Sequence, residues 1–400
     1  MERELFSRRA HDAHACGSLA RHLFESGREE AEAHPELDVI DLSLGNPDLE
    51  PAAAVCSALR ALVADKAKGL HRYMDNAGFP DVRDAVASHL SQESGIAILR
   101  DSVYLTCGAA GALQIVFGAL LNPGDEVIVF APYFPEYIGF IRNALAVPKV
   151  VRPGASFQLD LAAFEAALST KTRAVVVNNP NNPAGVLYPA PTLARLASVL
   201  AAHRERTGYL VHVIADEAGC GLAHDGRRSA SVLAAWDAVW LVRSCSKDAS
   251  LAGERIGYLA WGPELSTPRT LPLLSATARS FGYASAPALM QRLLPHVLAH
   301  PLDASEYRLR CRRFVATLNA HGVDVVHPDA GFFAFPRSPI ADERWFCQLL
   351  AKHGVLCVPG SAFGAPGYFR ASLTQPVARV EEAALRIARW ARLAVEARTA

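Results

Sequence analysis

The feature that most constrains this chain is a regular alternation of short apolar runs and helical segments between residues 103 and 261. Most of these runs are separated by segments in which apolar residues recur with helical spacing. Strands that alternate with helices over about 160 residues predict an α/β fold with a mostly parallel sheet and helices on both faces. The sequence therefore predicts a sheet of the seven-stranded type, with strands at 103–106, 127–130, 147–151, 173–177, 211–215, 239–243 and 256–261.

The loops with unusual composition all follow predicted strands. In parallel sheets, ligands bind beyond the carboxyl ends of the strands, where such loops meet. We therefore expect one site at this edge of the sheet, built from the loops 107–111, 132–137, 178–185, 216–219 and 244–247.

The stretch Leu241–Gly257 carries a candidate reactive amine. Lys247 follows two hydroxyl residues, Ser244 and Ser246, and Arg255 comes eight residues after it. A lysine amine can form a Schiff base with an aldehyde cofactor. Serine hydroxyls and a guanidinium group suit the phosphate of such a cofactor. Taken alone the pattern is weak, because a lysine in a loop is more often a solvated charge.

The pattern changes after about residue 285, where long helices and short strands replace the alternation. Short strands are predicted at 324–326, 355–358 and 369–373, and a helix ends the chain. This combination of long helices and short strands is typical of a smaller α+β domain. We expect an N-terminal arm (1–44), polar and helical over 1–33, packed on the small domain, a large ligand-binding domain (45–287) and the small domain itself (288–400).

Composition and charge exclude several classes of protein. Forty basic and forty acidic residues cancel, so no strong field attracts nucleic acid or an acidic membrane. The eight cysteines show no metal-binding spacing and are expected to be free thiols in a reducing compartment. No stretch reaches the roughly 18 apolar residues of a membrane span, and the first residues lack the apolar core of a signal peptide. The sequence thus predicts a cytoplasmic protein without metal, membrane or nucleic-acid partners.

Taken together, these motifs resemble the fold-type I pyridoxal-phosphate (PLP) enzymes of the class I/II, aspartate aminotransferase-like family. The resemblance runs from about residue 38 to the C-terminus and keeps the order of the family's motifs. It implies a PLP cofactor, an α-amino-acid substrate and a homodimer with shared active sites. It also implies a large domain that binds the cofactor and a smaller C-terminal domain.

The resemblance implies catalytic roles for two residues and a cofactor contact for a third. Lys247 would form the Schiff base and then act as general base and acid. Asp216 would pair with the pyridine nitrogen and keep the ring protonated. Asn182, in Asn-Asn-Pro-Ala-Gly, would bond the phenol oxygen of the cofactor.

The remaining implied contacts concern the phosphate, the ring and the substrate. Phe134 would stack on the pyridine ring, with Tyr133 as the second choice, and Arg279 is a weaker candidate for a substrate side chain. The phosphate ligands are the backbone of Gly108, Ala109 and Ala110, the side chains of Ser244 and Arg255, and Tyr73 from the neighbouring subunit. The substrate-binding residues are Gly45, Asn46, Asn182 and Arg370.

One position departs from the family. A Glu-Pro-Tyr-like run usually follows the aspartate, whereas this chain has Asp216-Glu-Ala-Gly-Cys-Gly221, with Gly219 in place of the tyrosine. Loss of a phenol donor predicts a higher pKa for the Schiff base. The cavity should also gain about the volume of a phenol ring. Tyr104, Tyr133 or water are the candidates to replace the missing hydroxyl.

Three functions remain open at this point. Transamination of an α-amino acid is the first hypothesis. The alternative is a PLP enzyme of specialised metabolism that does not transaminate, acting by β/γ-elimination or replacement, cyclisation or C–C bond formation, with S-adenosylmethionine as one conceivable substrate. A PLP-binding regulator is the most distant hypothesis, because only about 35 residues precede the domain, too few for a DNA-binding module.

Overall fold

A computed structural model describes residues 5–7, 11, 37–65, 70–227 and 229–399. The predicted arm over 1–44 lies outside the described residues for most of its length. Its end, β1 (Ile40–Asp41), pairs in parallel with β10 (Val355–Leu356). The chain just before residue 45 therefore contacts the C-terminal elements, while the domain boundaries stay predictions.

The helices and strands follow the predicted order. The α-helices among the described residues are α1 (Ala53–Ala64), α2 (Pro80–Ser94), α3 (Gly108–Leu120), α4 (Glu136–Asn143), α5 (Leu161–Ala167), α6 (Ala190–Thr207), α7 (Cys245–Asp248), α8 (Thr270–Ser280), α9 (Ala288–Ala299), α10 (Ser305–Ala320), α11 (Glu343–Lys352) and α12 (Val377–Thr399). The other strands are β2 (Val103–Thr106), β3 (Glu126–Phe130), β4 (Val147–Val151), β5 (Thr172–Asn178), β6 (His212–Asp216), β7 (Val239–Ser244), β8 (Gly257–Trp261), β9 (Phe333–Ala334), β11 (Val358–Pro359) and β12 (Phe369–Ser372).

A sheet of seven strands forms the centre of the molecule, in the order β2-β8-β7-β6-β5-β3-β4. The strands β3 to β7 pair in parallel, and β8 runs antiparallel to both of its neighbours. The predicted α/β fold is thus confirmed. Because helices cover both faces, the inner strands are apolar on both sides, which explains why they appear as continuous apolar runs.

Neighbouring residues of each strand point to opposite faces and enter different cores. Val213 lies in one cluster, which includes Leu196 of α6, and Ile214 lies in the other, which includes Val116 of α3. A third cluster joins β1 to α10, α11 and α12 in the C-terminal part. None of the helices in the described part of the chain is long and apolar enough to cross a membrane.

Two of the short strands predicted in the C-terminal part differ from the structure. The strand expected at 324–326 is only a single bridge between Val325 and Pro336, because a proline has no N–H with which to extend the ladder. The strand expected at 355–358 divides into β10 and β11. Helix α8 was not predicted; Pro272 hides its pattern but lies in the first turn, where proline is tolerated.

Candidate active site

A cavity of about 270 Å³ lies at the carboxyl ends of β5, β6 and β7, where Asn178, Asp216 and Ser244 line it. Each of the five loops expected at this edge contributes to the wall. The residues Ala109 and Phe134 come from the first two of them. The arrangement follows from the parallel pairing of these strands, which brings their carboxyl ends to one side.

Lys247 lies in the short helix α7, which begins directly after β7. Its Nζ donates a hydrogen bond to the carbonyl oxygen of Gly45 and lies 5.5 Å from the centre of the Phe332 ring. Burial, helped by the positive charges of Arg370 and Arg255, lowers the pKa of Lys247 to about 8. A substantial fraction of the amine is therefore neutral and nucleophilic near physiological pH.

Asp216 ends β6, and its carboxylate is buried. One oxygen, Oδ1, accepts from the backbone N–H of Ala218 at 3.2 Å, and the other accepts from the hydroxyl of Tyr137. Burial raises the pKa of Asp216, and these two donors oppose the rise. The sequence placed Tyr137 at the edge of the site but did not reveal this contact, since the two residues are 79 positions apart.

Backbone and side-chain donors converge at the start of α3. Gly108 has a φ of 68°, and a Cβ there would lie 2.7 Å from Nη2 of Arg255. The guanidinium of Arg255 donates to Ser246 Oγ at 3.2 Å, and Ser246 contacts Ser244 Oγ at 2.9 Å. Free N–H groups at a helix N-terminus beside a guanidinium and hydroxyls favour a dianion such as phosphate.

These groups fit the cofactor that the resemblance implies. The cradle at Gly108 suits a phosphate, buried Asp216 suits a pyridine nitrogen, and the Lys247 amine suits an aldehyde, and all of them border one cavity. Phe134 lines this cavity, as expected for the residue that stacks on the ring. Tyr133 does not line it; its ring lies against Gly364 instead.

Arg370, on β12, lies just behind the cavity wall. It donates from Nη1 to Asn182 Oδ1 at 3.3 Å and from Nη2 to the carbonyl of Ser43 at 2.6 Å. Its Nε is buried and finds no acceptor among the described residues. Burial lowers the pKa of Arg370 to about 10. A cationic donor with an unsatisfied N–H beside Asn182 suits a carboxylate.

Of the other expected site residues, Gly45 contacts the cavity wall, whereas three do not line the cavity. Gly45 approaches the wall so closely that a Cβ there would lie 2.4 Å from the Phe333 ring. Asn46 is exposed and does not line the cavity. Tyr73 is 93% exposed and also lies outside the wall. Arg279 donates to Asn76 Oδ1 at 2.9 Å rather than facing the cavity.

Gly219 lines the cavity, and a Cβ at this position would meet nothing within 4 Å. Its φ of −143° is accessible to any residue, so the backbone does not require glycine. No tyrosine is present among the described residues that line the cavity, and Tyr104 is buried in the core beside the sheet. The missing side chain therefore leaves open space that no neighbouring phenol fills.

A buried ion pair lies directly behind the site and was not predicted from sequence. Arg243 donates from Nη2 to Glu217 Oε2 at 2.7 Å and from Nη1 to Glu93 Oε2 at 2.6 Å. Glu217 follows Asp216, and Arg243 precedes Ser244. The pair thus joins the ends of β6 and β7 to helix α2.

Comparison with known proteins gives one consistent result. The sequence profile of the family "Aminotransferase class I and II" matches residues 37–387. The chain is 30% identical over 360 residues to the aspartate/prephenate aminotransferase of Thermus thermophilus, covering 88% of this chain and 91% of that protein. It is 32% identical over 355 residues to the aspartate aminotransferase of Thermotoga maritima, covering 88% and 90%.

Solved structures match over a similar length. An amino transferase from Eubacterium rectale superposes with a TM-score of 0.89 at 31% identity, covering 94% of this chain and 95% of that one. The aspartate aminotransferase of Thermus thermophilus, solved with maleate, superposes with a TM-score of 0.84 at 28% identity, covering 96% and 99%. The likeness therefore extends over both the large sheet and the C-terminal elements.

Proposed function

We propose that this chain, which belongs to the class I and II aminotransferase family, is an aminotransferase that acts on an α-amino acid with PLP held at Lys247. Family membership makes it a PLP-dependent transferase. The observation that most supports the finer assignment is the single cavity that Lys247, Asp216 and Arg255 border together.

When bound, PLP supplies an aldehyde that takes the amino group of one amino acid, which leaves as a 2-oxo acid, and passes it to a second 2-oxo acid. Lys247 would hold the cofactor covalently and then carry the proton that leaves Cα of the substrate. A pKa of about 8 suits this task, because general bases work best when their pKa lies near the working pH.

The other residues would orient the cofactor and the substrate. Asp216, held by Tyr137 and the N–H of Ala218, would bind the pyridine nitrogen. Ser244 and Arg255 would hold the phosphate with the first turn of α3. Arg370 and Asn182 would bind the substrate carboxylate, since the buried Nε of Arg370 has no acceptor in the described part of the chain.

We further propose a homodimer in which Tyr73 completes the partner's phosphate site. The support for this is that Tyr73 is 93% exposed and lies away from the cavity of its own chain. A large aromatic side chain on the surface is typical of a residue that binds across an interface.

The reconstituted enzyme tests the assignment. The wild type with PLP should show the absorbance of the lysine-bound cofactor and lose it when an amino donor is added without an acceptor. Lys247→Ala should lack that absorbance, whereas Lys171→Ala, at an exposed lysine, should keep it. If the absorbance persists while the donor is consumed, transamination is not the main reaction.

The open space at Gly219 favours a second candidate. Room for a bulky substrate or a second reactant suits PLP enzymes that eliminate, replace, cyclise or form C–C bonds from the same deprotonated Cα. Mass spectrometry of products from a panel of amino acids, including S-adenosylmethionine, distinguishes the two. Formation of a 2-oxo acid matched to the donor supports transamination, and any other product supports the second candidate.

A further inference from the structure

We propose that the preferred substrate carries a large apolar, aromatic side chain rather than a second carboxylate, and that Phe332 and Gly219 determine this choice. The proposal rests on the proposed function, since it assumes that Lys247 holds the cofactor that receives the amino group and that Arg370 binds the carboxylate. It concerns only the part of the cavity that receives the side chain.

An apolar surface, formed by Leu222, Phe332 and Phe333 and here called the aromatic wall, lines one side of the cavity. The rings of Phe332 and Phe333 lie 4.8 Å apart, and Tyr307 supports Phe332 from behind at 4.9 Å. The N–H of Gly331 donates to the carbonyl of Leu222 at 2.8 Å. The wall is therefore held in place by packing and by backbone pairing.

Both anchors for the amino acid lie against this wall. The Lys247 Nζ is 5.5 Å from the centre of the Phe332 ring, and the Arg370 guanidinium carbon is 4.7 Å from the centre of the Phe333 ring. A substrate whose amino group meets Lys247 and whose carboxylate meets Arg370 therefore has its Cα beside the aromatic wall. A side chain on that Cα would contact the rings of the wall, and an aromatic side chain gains most from such contact.

The loop at the end of β6 provides the volume that a large side chain needs. Gly219 lines the same cavity, and the space around its missing Cβ is open for 4 Å. Ala218 and Gly331 add little bulk to the lining. The open space at Gly219 would favour a large side chain, whereas a small one would leave apolar surface of the wall uncovered.

Among the described residues of this chain, the charges of the site leave no partner for a distal carboxylate. Among the described lining residues, the only charged side chains are Asp216, Lys247 and Arg255, and each already serves the cofactor in the proposed function. Arg279 binds Asn76 instead. Placing a second carboxylate against the aromatic wall without a cation or a donor would be costly.

Binding of two carboxylic acids to the PLP-loaded enzyme tests the proposal without catalysis. Neither 3-phenylpropanoate nor succinate has an amino group, and isothermal calorimetry reports their affinities directly. We expect 3-phenylpropanoate to bind at least about tenfold more tightly, in line with burial of a phenyl ring. Equal or tighter binding of succinate would overturn the proposal.

Two variants locate the effect. Gly219→Tyr, which fills the open space, and Phe332→Leu, which removes the ring, should each lower the affinity for 3-phenylpropanoate about tenfold relative to that for propanoate. Gly139→Tyr is the matched control, because a Cβ there also meets nothing within 4 Å but the residue lies outside the cavity. An unchanged affinity ratio in both site variants would refute the assigned roles.

Failure of the proposal differs from failure of the proposed function. If the wild type lacks the absorbance of lysine-bound PLP, the function itself is wrong. If that absorbance is present but succinate is preferred, only the substrate class is wrong. L-phenylalanine and L-aspartate, compared as donors by the rate of absorbance loss, give an independent readout of the same choice.

Discussion

Burial of Lys247 has a cost that can be measured in the apoprotein. The pKa of this amine falls from 10.5 to about 8, so the folded protein binds the proton less tightly than the unfolded chain. The full shift corresponds to about 3 kcal/mol of lost stability below pH 8. The loss shrinks as the pH rises above 8 and disappears well above 10.5, where the amine is neutral in both states.

Lys247→Met should therefore stabilise the cofactor-free protein near neutral pH, by up to about 3 kcal/mol. Near pH 9.5 the gain should fall to roughly half, because the wild-type lysine is then mostly deprotonated when folded. Urea denaturation of both proteins at the two pH values measures this. Lys171→Met, at an exposed site, should show no such trend, and a pH-independent gain at 247 would mean that charge burial is not its cause.

Tyr137 should control the protonation of Asp216. In Tyr137→Phe the carboxylate loses one of the two donors that hold its pKa down, so that pKa rises. We expect PLP affinity to weaken about tenfold at neutral pH, and the acid limb of its pH dependence to move to higher pH. Titration of the apoenzyme with PLP measures both effects.

The control is Tyr133→Phe, at a neighbouring tyrosine outside the cavity wall. A uniform loss of PLP affinity in Tyr137→Phe, without movement of the acid limb, would point to a structural role alone. An equal shift of the acid limb in Tyr133→Phe would also show that the shift does not come from the contact between Tyr137 and Asp216.

For single residues, the sequence predicted the site residues that belong to local motifs, but it missed those that reach the site only through the fold. Lys247, Asp216 and Asn182 lie at or within a few residues of the carboxyl ends of strands, so their position in the sequence predicted that they share one edge of the sheet. Tyr137 was visible only as part of a loop, because nothing in the chain links it to a residue 79 positions away. The aromatic wall was also missed, since an apolar Phe-Phe pair is indistinguishable from core.

Among the elements, the ion pair behind the site ties β6 and β7 to α2. Arg243→Met leaves Glu217 buried without its partner, and we expect about 3–5 kcal/mol of destabilisation. Glu217→Gln combined with Arg243→Met should recover much of the loss, because the one carboxylate that still loses its contact with Arg243, Glu93, is exposed to solvent. Chemical denaturation of the single and double variants measures the coupling.

The exposed pair Arg204 and Glu264 offers a matched comparison. Its Arg204→Met variant should lose less than about 1 kcal/mol, since solvent screens the charges. If Arg243→Met costs no more than Arg204→Met, the pair behind the site does not brace these strands.

Most helices and strands could be predicted because the spacing of apolar residues along the chain reflects which faces are buried. The strands of the large sheet appear as apolar runs, and their predicted bounds lie within one residue of the observed ones. Prediction failed where a proline decides the outcome. Pro336 prevents a ladder opposite Val325, and Pro272 obscures the start of α8. The sequence analysis also placed Lys247 in a loop, whereas the structure forms the four-residue helix α7 there.

In the whole molecule, the site depends on contacts between distant parts of the chain. Ser43 and Gly45, just after β1, accept hydrogen bonds from Arg370 and Lys247. Pairing of β1 with β10 holds this segment in place. The amine and the carboxylate anchor are thus connected through a segment that neither the large sheet nor the C-terminal helices contain, which explains why sequence motifs alone did not reveal its role.

The proposed homodimer, in which Tyr73 completes the partner's site, leads to a complementation experiment. Lys247→Ala and Tyr73→Ala should each be severely impaired, because one removes the amine and the other a phosphate ligand of the partner's site. After mixing and reassociation, half of the dimers contain one site with both wild-type residues. Activity should therefore return to about a quarter of the wild-type value. The control mixes Lys247→Ala with Asp216→Ala, both in the cavity of their own chain, and should restore nothing. Recovery in the control, or none in the first mixture, would show that Tyr73 does not act across the interface.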